Sequence, residues 1–159
     1  MAADRLHALL DEQGIDYEVH EHERAVSAHR LADAEGVSGY DVAKPVLISI
    51  SGELAMMVVP GAETVDLERV SSWLGHNDVR LATEDEFTEL FDDCEPGAEP
   101  PFGSLYGIPT FLDEDLRARP TMVCRDGSHS RTITLATTDY LRVVDPEIVA
   151  VAVRPGADV

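Results

Sequence analysis

Hydrophobic positions along this chain follow two periods, and the switches between them mark its elements. Leu6, Leu9 and Leu10 stand at i, i+3 and i+4 ahead of Gly14, which predicts an amphipathic helix over residues 4–13. Tyr17-Glu18-Val19-His20 alternates and predicts a short strand. Ser27 is placed to cap a helix that runs to about Glu35 and stops at Gly36. Residues 45–50 and 54–59 are apolar, β-branched runs joined across Ser51-Gly52-Glu53, the pattern of a tight hairpin. Leu67, Val70 and Leu74 lie on one helical face that Gly75 terminates, and Val79-Arg80-Leu81 reads as a strand. Thr83 with Glu86 forms a capping box that opens a helix carrying Phe87, Leu90 and Phe91 on one side. Strands are expected at 104–106, 109–112, 121–124 and 131–135, with Asp126-Gly127 turning between the last two. A short helix over 138–143 and a closing strand over 148–153 complete the chain.

Helices and strands mix here without regular βαβ alternation. That predicts an α+β domain: a curved mixed sheet or partly open barrel flanked by helices. A length of 159 residues suits one domain. No apolar run is long enough to span a membrane, and no basic stretch precedes an apolar one at the N-terminus, so a cytoplasmic protein is expected. Cys94 and Cys124 lack CxxC spacing, which fits a reducing compartment.

Charge changes the picture more than length does. Acidic residues number 31 against 12 Lys and Arg, for a formal net charge of −19. Such a surface argues against general affinity for nucleic acid, and a DNA-binding role is set aside on that ground. A site that grips only the end of a tRNA needs few phosphate contacts. Salt also limits the repulsion, since the Debye length is about 10 Å at 0.1 M.

Two stretches stand out as candidate chemistry. Asp92 to Gly103 is a turn with two glycines and three prolines; each proline fixes φ, and each glycine permits φ > 0. A stiff loop of this kind can hold backbone amides at set angles, although a plain rigid connector has the same composition. Lys44 is the only lysine in the chain and opens the run Pro45-Val46-Leu47-Ile48-Ser49-Ile50. A lysine there needs a partner or a cleft, and its compact ammonium suits a phosphate or a carbonyl. His20, His22, His29 and His129 have no metal-ligand spacing, so no metal site is expected from them. Gly103-Ser104-Leu105 does not form G-x-S-x-G, and no catalytic triad is readable. Cys94 adjoins the loop and is read as a partly buried free thiol, a nucleophilic role being the alternative.

Taken in order, Val42-Ala43-Lys44, Gly97-Ala98-Glu99-Pro100-Pro101-Phe102-Gly103, Leu105-Tyr106-Gly107, Asp113, Leu116, Asp126-Gly127-Ser128-His129, Thr132-Ile133-Thr134-Leu135 and Asp139 resemble the YbaK family. This family includes domains appended to prolyl-tRNA synthetases. The resemblance runs from about His20 to the final strand, and the domain is placed at residues 5–154. It implies a free-standing deacylase that removes a wrong, small amino acid from tRNA, tRNA(Pro) being the commonest case, without a cofactor. It implies a partner in the aminoacylated tRNA 3′ end, and leaves a synthetase as a further candidate. Lys44 would be the lysine that positions the terminal nucleotide. Gly97 and Ala98 would offer backbone N–H groups to the oxyanion of ester hydrolysis. Glu99, Pro100 and Pro101 would hold the loop's shape. Pro101, Phe102, Gly103, Asp113 and His129 are the candidate substrate contacts, core packing being the rival role for Phe102 and turn capping that for Asp113. A non-catalytic module that recognises aminoacyl-tRNA or a synthetase remains open at this point.

Overall fold

The computed structural model of the protein describes residues 2–155. The first half runs α1 (Ala2–Glu12), β1 (Tyr17–Glu21), α2 (Ala28–Glu35), β2 (Ala43–Ile50), β3 (Glu53–Pro60), β4 (Thr64–Val65), α3 (Leu67–Leu74), β5 (Val79–Leu81) and α4 (Glu84–Phe87). A 3-10 turn (Gly103–Tyr106) follows, then β6 (Thr110–Asp113), α5 (Glu114–Arg117), β7 (Thr121–Arg125), β8 (Arg131–Ala136), α6 (Thr137–Val144), β9 (Glu147–Val149) and β10 (Ala152–Val153). The mixed α+β class expected from the sequence is what the chain adopts.

Local chemistry accounts for most of these boundaries. The Ser27 hydroxyl accepts the Arg30 amide at the start of α2, and Gly36 closes that helix at φ 67°. Asp66 caps α3 by accepting the amides of Glu68 and Arg69. The β2–β3 hairpin turns on Ser51 and Gly52, both with positive φ, as a two-residue turn of primed type requires.

β2 is the strand around which the site is built. It pairs antiparallel with β3 along its whole length, within a five-stranded sheet of order β5-β2-β3-β6-β9. A second sheet, β1-β8-β7, meets the first where Val42 bridges Val123. Along the edge of β2 away from β3, β5 pairs only with Ile48–Ile50, while β7 touches only at Val42. The two strands therefore splay apart and leave residues 43–46 uncovered on that edge. Pro45 sits in this gap, where its missing N–H leaves no strand donor unpaired.

The main core lies between the sheets, α1 and α6, and includes Leu6, Leu47, Phe102, Leu112, Met122 and Tyr140. A second cluster, with Ile48, Met57, Val59 and Val70, packs the other face of the larger sheet under α3.

Three sequence expectations are corrected. Residues 104–106 form the 3-10 turn rather than a strand: a Cβ on Gly103 would lie 2.3 Å from Thr110 Oγ1 and 2.9 Å from the Ile108 carbonyl, so the chain folds back tightly there. The closing strand divides in two, β9 beside β6 and β10 beside β4. Between them, the Asp113 carboxylate takes the amides of Val151 and Ala152, at 2.8 and 2.9 Å. Finally, α4 ends at Phe87, after which turns bury Phe91 and leave Leu90 exposed. Its Thr83–Glu86 capping box is present, but the acidic run that follows opposes the helix dipole at its C-terminal end.

Candidate active site

The gap in the β2 edge opens into a cleft of about 290 Å³. Pro45, Val46 and Leu47 form one wall, and Leu81, Ala82 and Phe87 form a second. Pro96, Gly97 and Glu99 of the glycine–proline loop close it, with Glu84 and Thr88 at the side. The loop and the start of β2, about fifty residues apart in sequence, thus share one cavity. Its volume lies at the small end of ligand pockets, which run about 300–1,000 Å³.

The loop is held by hydrogen bonds to its own carbonyls and from below. The His129 ring nitrogen Nε2 donates to the Pro96 carbonyl at 2.7 Å, and the His129 amide donates to the Glu95 carboxylate at 2.7 Å. The Tyr140 hydroxyl donates to the Pro101 carbonyl at 2.5 Å. Gly97 adopts φ +85°, a conformation open to glycine, and a Cβ there would touch the His129 ring at 3.4 Å. Its N–H donates to the Glu99 carboxylate at 3.3 Å.

The residues singled out in the sequence take different places. Gly97 lines the cleft. Ala98 is fully buried and its amide donates to the Glu95 carbonyl at 2.9 Å; that hydrogen bond closes a turn rather than facing the cavity. Phe102 is 0 % exposed and packs edge-on against Tyr140, the core-packing role. Pro101 and Gly103 are buried beneath the loop, and His129 braces it. Asp113 caps α5 by accepting the Asp115 amide and holds the break between β9 and β10. Cys94 lies against the Tyr106 hydroxyl and Asp93, and burial pushes its thiol up to about 12, which removes it as a nucleophile near neutral pH.

Lys44 rises from the face of the sheet opposite Pro45 and Leu47, as strand alternation requires. Its ammonium donates to the Glu63 carbonyl, one residue along the strand from the cleft wall. Burial lowers its pKa, and the Glu63 charge opposes that shift.

Two acidic residues were not found from the sequence. Glu99 had been given only a shape-holding role in its loop; a carboxylate among backbone amides was the available signal. Glu63 follows the Gly61-Ala62 turn and carries no local signal at all. It is 5 % exposed, and its carboxyl meets those of Asp113 and Asp115, with one oxygen from each within 4.8 Å of the others. Burial, then a hydrogen bond to Asp115 and the charges of Asp115 and Asp113, push Glu63 up to about 7 from its ordinary 4.5. The native state therefore binds a proton at this site more tightly than the unfolded chain. The stabilisation this brings is complete below about pH 4.5 and is lost as pH rises through 7. Glu63→Gln, which stays neutral, is expected to gain melting temperature relative to the parent chain from pH 5 to pH 8. Paired thermal melts check this; a difference that does not change with pH would contradict it.

Comparisons with known proteins bear on the family and the fold. A family model described as an aminoacyl-tRNA editing domain matches residues 22–143. The multifunctional Ser/Thr-tRNA deacylase ProXp-y of Escherichia coli (strain K12) is 28% identical over 150 residues, covering 91% of this chain and 89% of that protein. Among solved structures, a candidate trans-editing enzyme for prolyl tRNA synthetase superposes with a TM-score of 0.81 at 23% identity, covering 94% of this chain and 96% of that one. A hypothetical protein superposes with a TM-score of 0.84 at 18% identity, covering 94% and 99%. At these identities the two structures speak to the fold, and the family match carries the activity: the chain belongs to the aminoacyl-tRNA editing domain family and is an aminoacyl-tRNA deacylase.

Proposed function

We propose that this protein acts in trans, in the cytoplasm, to remove a small, wrong amino acid such as serine, threonine or alanine from tRNA, with tRNA(Pro) the foremost substrate. The observation that carries the proposal is the shared cleft, in which Gly97 and its loop face Pro45–Leu47. The names of its relatives, a Ser/Thr-tRNA deacylase and a candidate trans-editing enzyme for prolyl tRNA synthetase, favour the same substrate class. Among the described residues no helix is long and apolar enough to cross a membrane.

The chemistry asked of the site is light, because an aminoacyl ester is already activated. Water adds to the ester carbonyl, the bond to the ribose oxygen breaks, and the ribose hydroxyl leaves with a proton. The aminoacyl group occupies the cleft, and the Gly97 N–H, which here donates to the Glu99 carboxylate, is the backbone donor offered to the developing oxyanion. The vicinal ribose hydroxyl helps to carry the proton, as the family resemblance implies. Lys44 holds the terminal nucleotide outside the cleft. A synthetase that delivers the tRNA is a further candidate partner.

The test is a hydrolysis panel with tRNA(Pro) mischarged with Ala, Cys, Ser and Thr. One methylene in such a pocket changes the rate by about 10–200-fold, so the panel should show a clear ranking with a small polar or apolar residue first. Tight binding of every charged tRNA without release of amino acid would instead support a non-catalytic module.

A further inference from the structure

We propose that Glu99 is the receptor for the substrate's α-ammonium group, and that binding this group frees the Gly97 N–H for the oxyanion. The inference rests on the deacylase reading of the cleft and assigns a specificity residue within it.

Glu99 lines the cleft yet is only 5 % exposed. A carboxylate so buried needs strong partners. Its one hydrogen bond among the described contacts is the long one, 3.3 Å, from the Gly97 N–H. That is weak for a charged acceptor, whose hydrogen bonds from nitrogen usually measure about 2.7–2.9 Å. The buried Arg125 guanidinium attracts the Glu99 charge but gives its hydrogen bonds to the Val26 and Ser27 carbonyls.

The rest of the wall points to the same ligand chemistry. Among the described residues no lysine, arginine or histidine lines the cleft, and its charged side chains are Glu84 and Glu99. Glu84 is exposed on the first turn of α4, where water screens it. Pro45 adds an acceptor. The carbonyls of Asp41 and Leu47 point to the uncovered side of β2, toward Val123 and Ala82. By strand alternation the carbonyl of Pro45 points the same way, into the gap between β5 and β7 where neither strand reaches it. A buried carboxylate and a carbonyl that no described strand pairs, around an otherwise apolar cavity, suit a primary ammonium. An aminoacyl ester carries one near neutral pH.

The position of Glu99 also couples recognition to catalysis. Its carboxylate occupies the very N–H that the oxyanion requires. A substrate ammonium competes for that carboxylate with a stronger, charge-assisted hydrogen bond. The amide is then released only when an α-amino group is present. Esters without one meet a cleft whose oxyanion donor stays engaged.

The experiment compares seryl-tRNA with its deaminated isostere, in which a hydroxyl replaces the ammonium at nearly constant size. Each enzymatic kcat/KM is divided by the uncatalysed hydrolysis rate of the same ester, since the ammonium activates the ester by itself. The parent protein is expected to favour seryl-tRNA by about 10- to 100-fold on this scale, the range of a hydrogen bond to a charged group. Glu99→Gln keeps the shape and the oxygen near Gly97 but removes the charge. It should lose about that factor on seryl-tRNA and clearly less on the isostere, so that the ratio between the two esters falls toward one, because the hydroxyl ester never had the charged contact. Equal normalised rates for the two esters in the parent protein overturn the inference, and that ratio is read without any variant. Equal losses on both esters in Glu99→Gln overturn it too, because the carboxylate would then serve the water or the loop rather than the ammonium. In both cases turnover of seryl-tRNA leaves the deacylase reading standing. Failure of the parent protein to hydrolyse any charged tRNA overturns that reading and this inference together.

Discussion

Lys44→Ala is expected to lower kcat/KM on a mischarged tRNA by at least about a hundredfold, or about 2.7 kcal/mol of transition-state stabilisation, while leaving the fold intact. Lys44 is the only lysine in the chain. It is half-buried at the start of β2, with its ammonium on the Glu63 carbonyl and the next three residues forming the cleft wall. A compact cation in that place can meet a phosphate or ribose oxygen of the nucleotide whose aminoacyl group enters the cleft. If it binds the tRNA end equally in the ground and transition states, the loss will fall mainly on KM. Lys44→Met keeps the apolar stem against the sheet and removes the charge, so it separates packing from electrostatics. It should be as inactive as the alanine variant and melt closer to the parent. Lys44→Arg should also be impaired, because a planar guanidinium cannot place its charge at the same point. The measurement is deacylation kinetics beside a thermal melt for each variant. Parent-like turnover by the alanine or methionine variant would remove Lys44 from the site.

Gly97→Val is the second large effect. Gly97 stands at φ +85°, and a side chain there meets the His129 ring that braces the loop. Valine would move the backbone and put bulk where the ester carbonyl approaches. Displacing one oxyanion donor costs about 2.7–4 kcal/mol in the barrier, or about 10²–10³ in kcat. Forcing a non-glycine residue into the left-handed region costs stability as well, about 1–2 kcal/mol. The two effects are separated with Gly75→Val, at φ +72° on the C-terminal cap of α3, where nothing lies within 4 Å of the added Cβ. Both variants should lose similar stability, and only Gly97→Val should lose deacylation. Equal activities in the two would mean that the loop backbone does not contact the reacting ester.

What the sequence determined was local. Cap residues, hairpin glycines and the 3.6- and 2-residue periods act over a few neighbours, so Ser27, Gly36, Ser51-Gly52 and Gly75 carry their boundaries in themselves. The ordered motifs around Lys44 and residues 97–103 were likewise enough to reach the editing family. The tertiary structure decided how each group is used, because a hydrogen-bond partner from a distant segment leaves no trace in local pattern. Ala98 and Gly97 are adjacent and equivalent on paper, but Glu95 takes one amide and Glu99 the other. Asp113 reads as a turn residue, yet its carboxylate reaches across to Val151 and Ala152 and divides the last strand. The cleft itself exists because β5 and β7 leave part of one edge of β2 uncovered. That separation is fixed by pairings between strands far apart in the chain, so no stretch of sequence taken alone could show it.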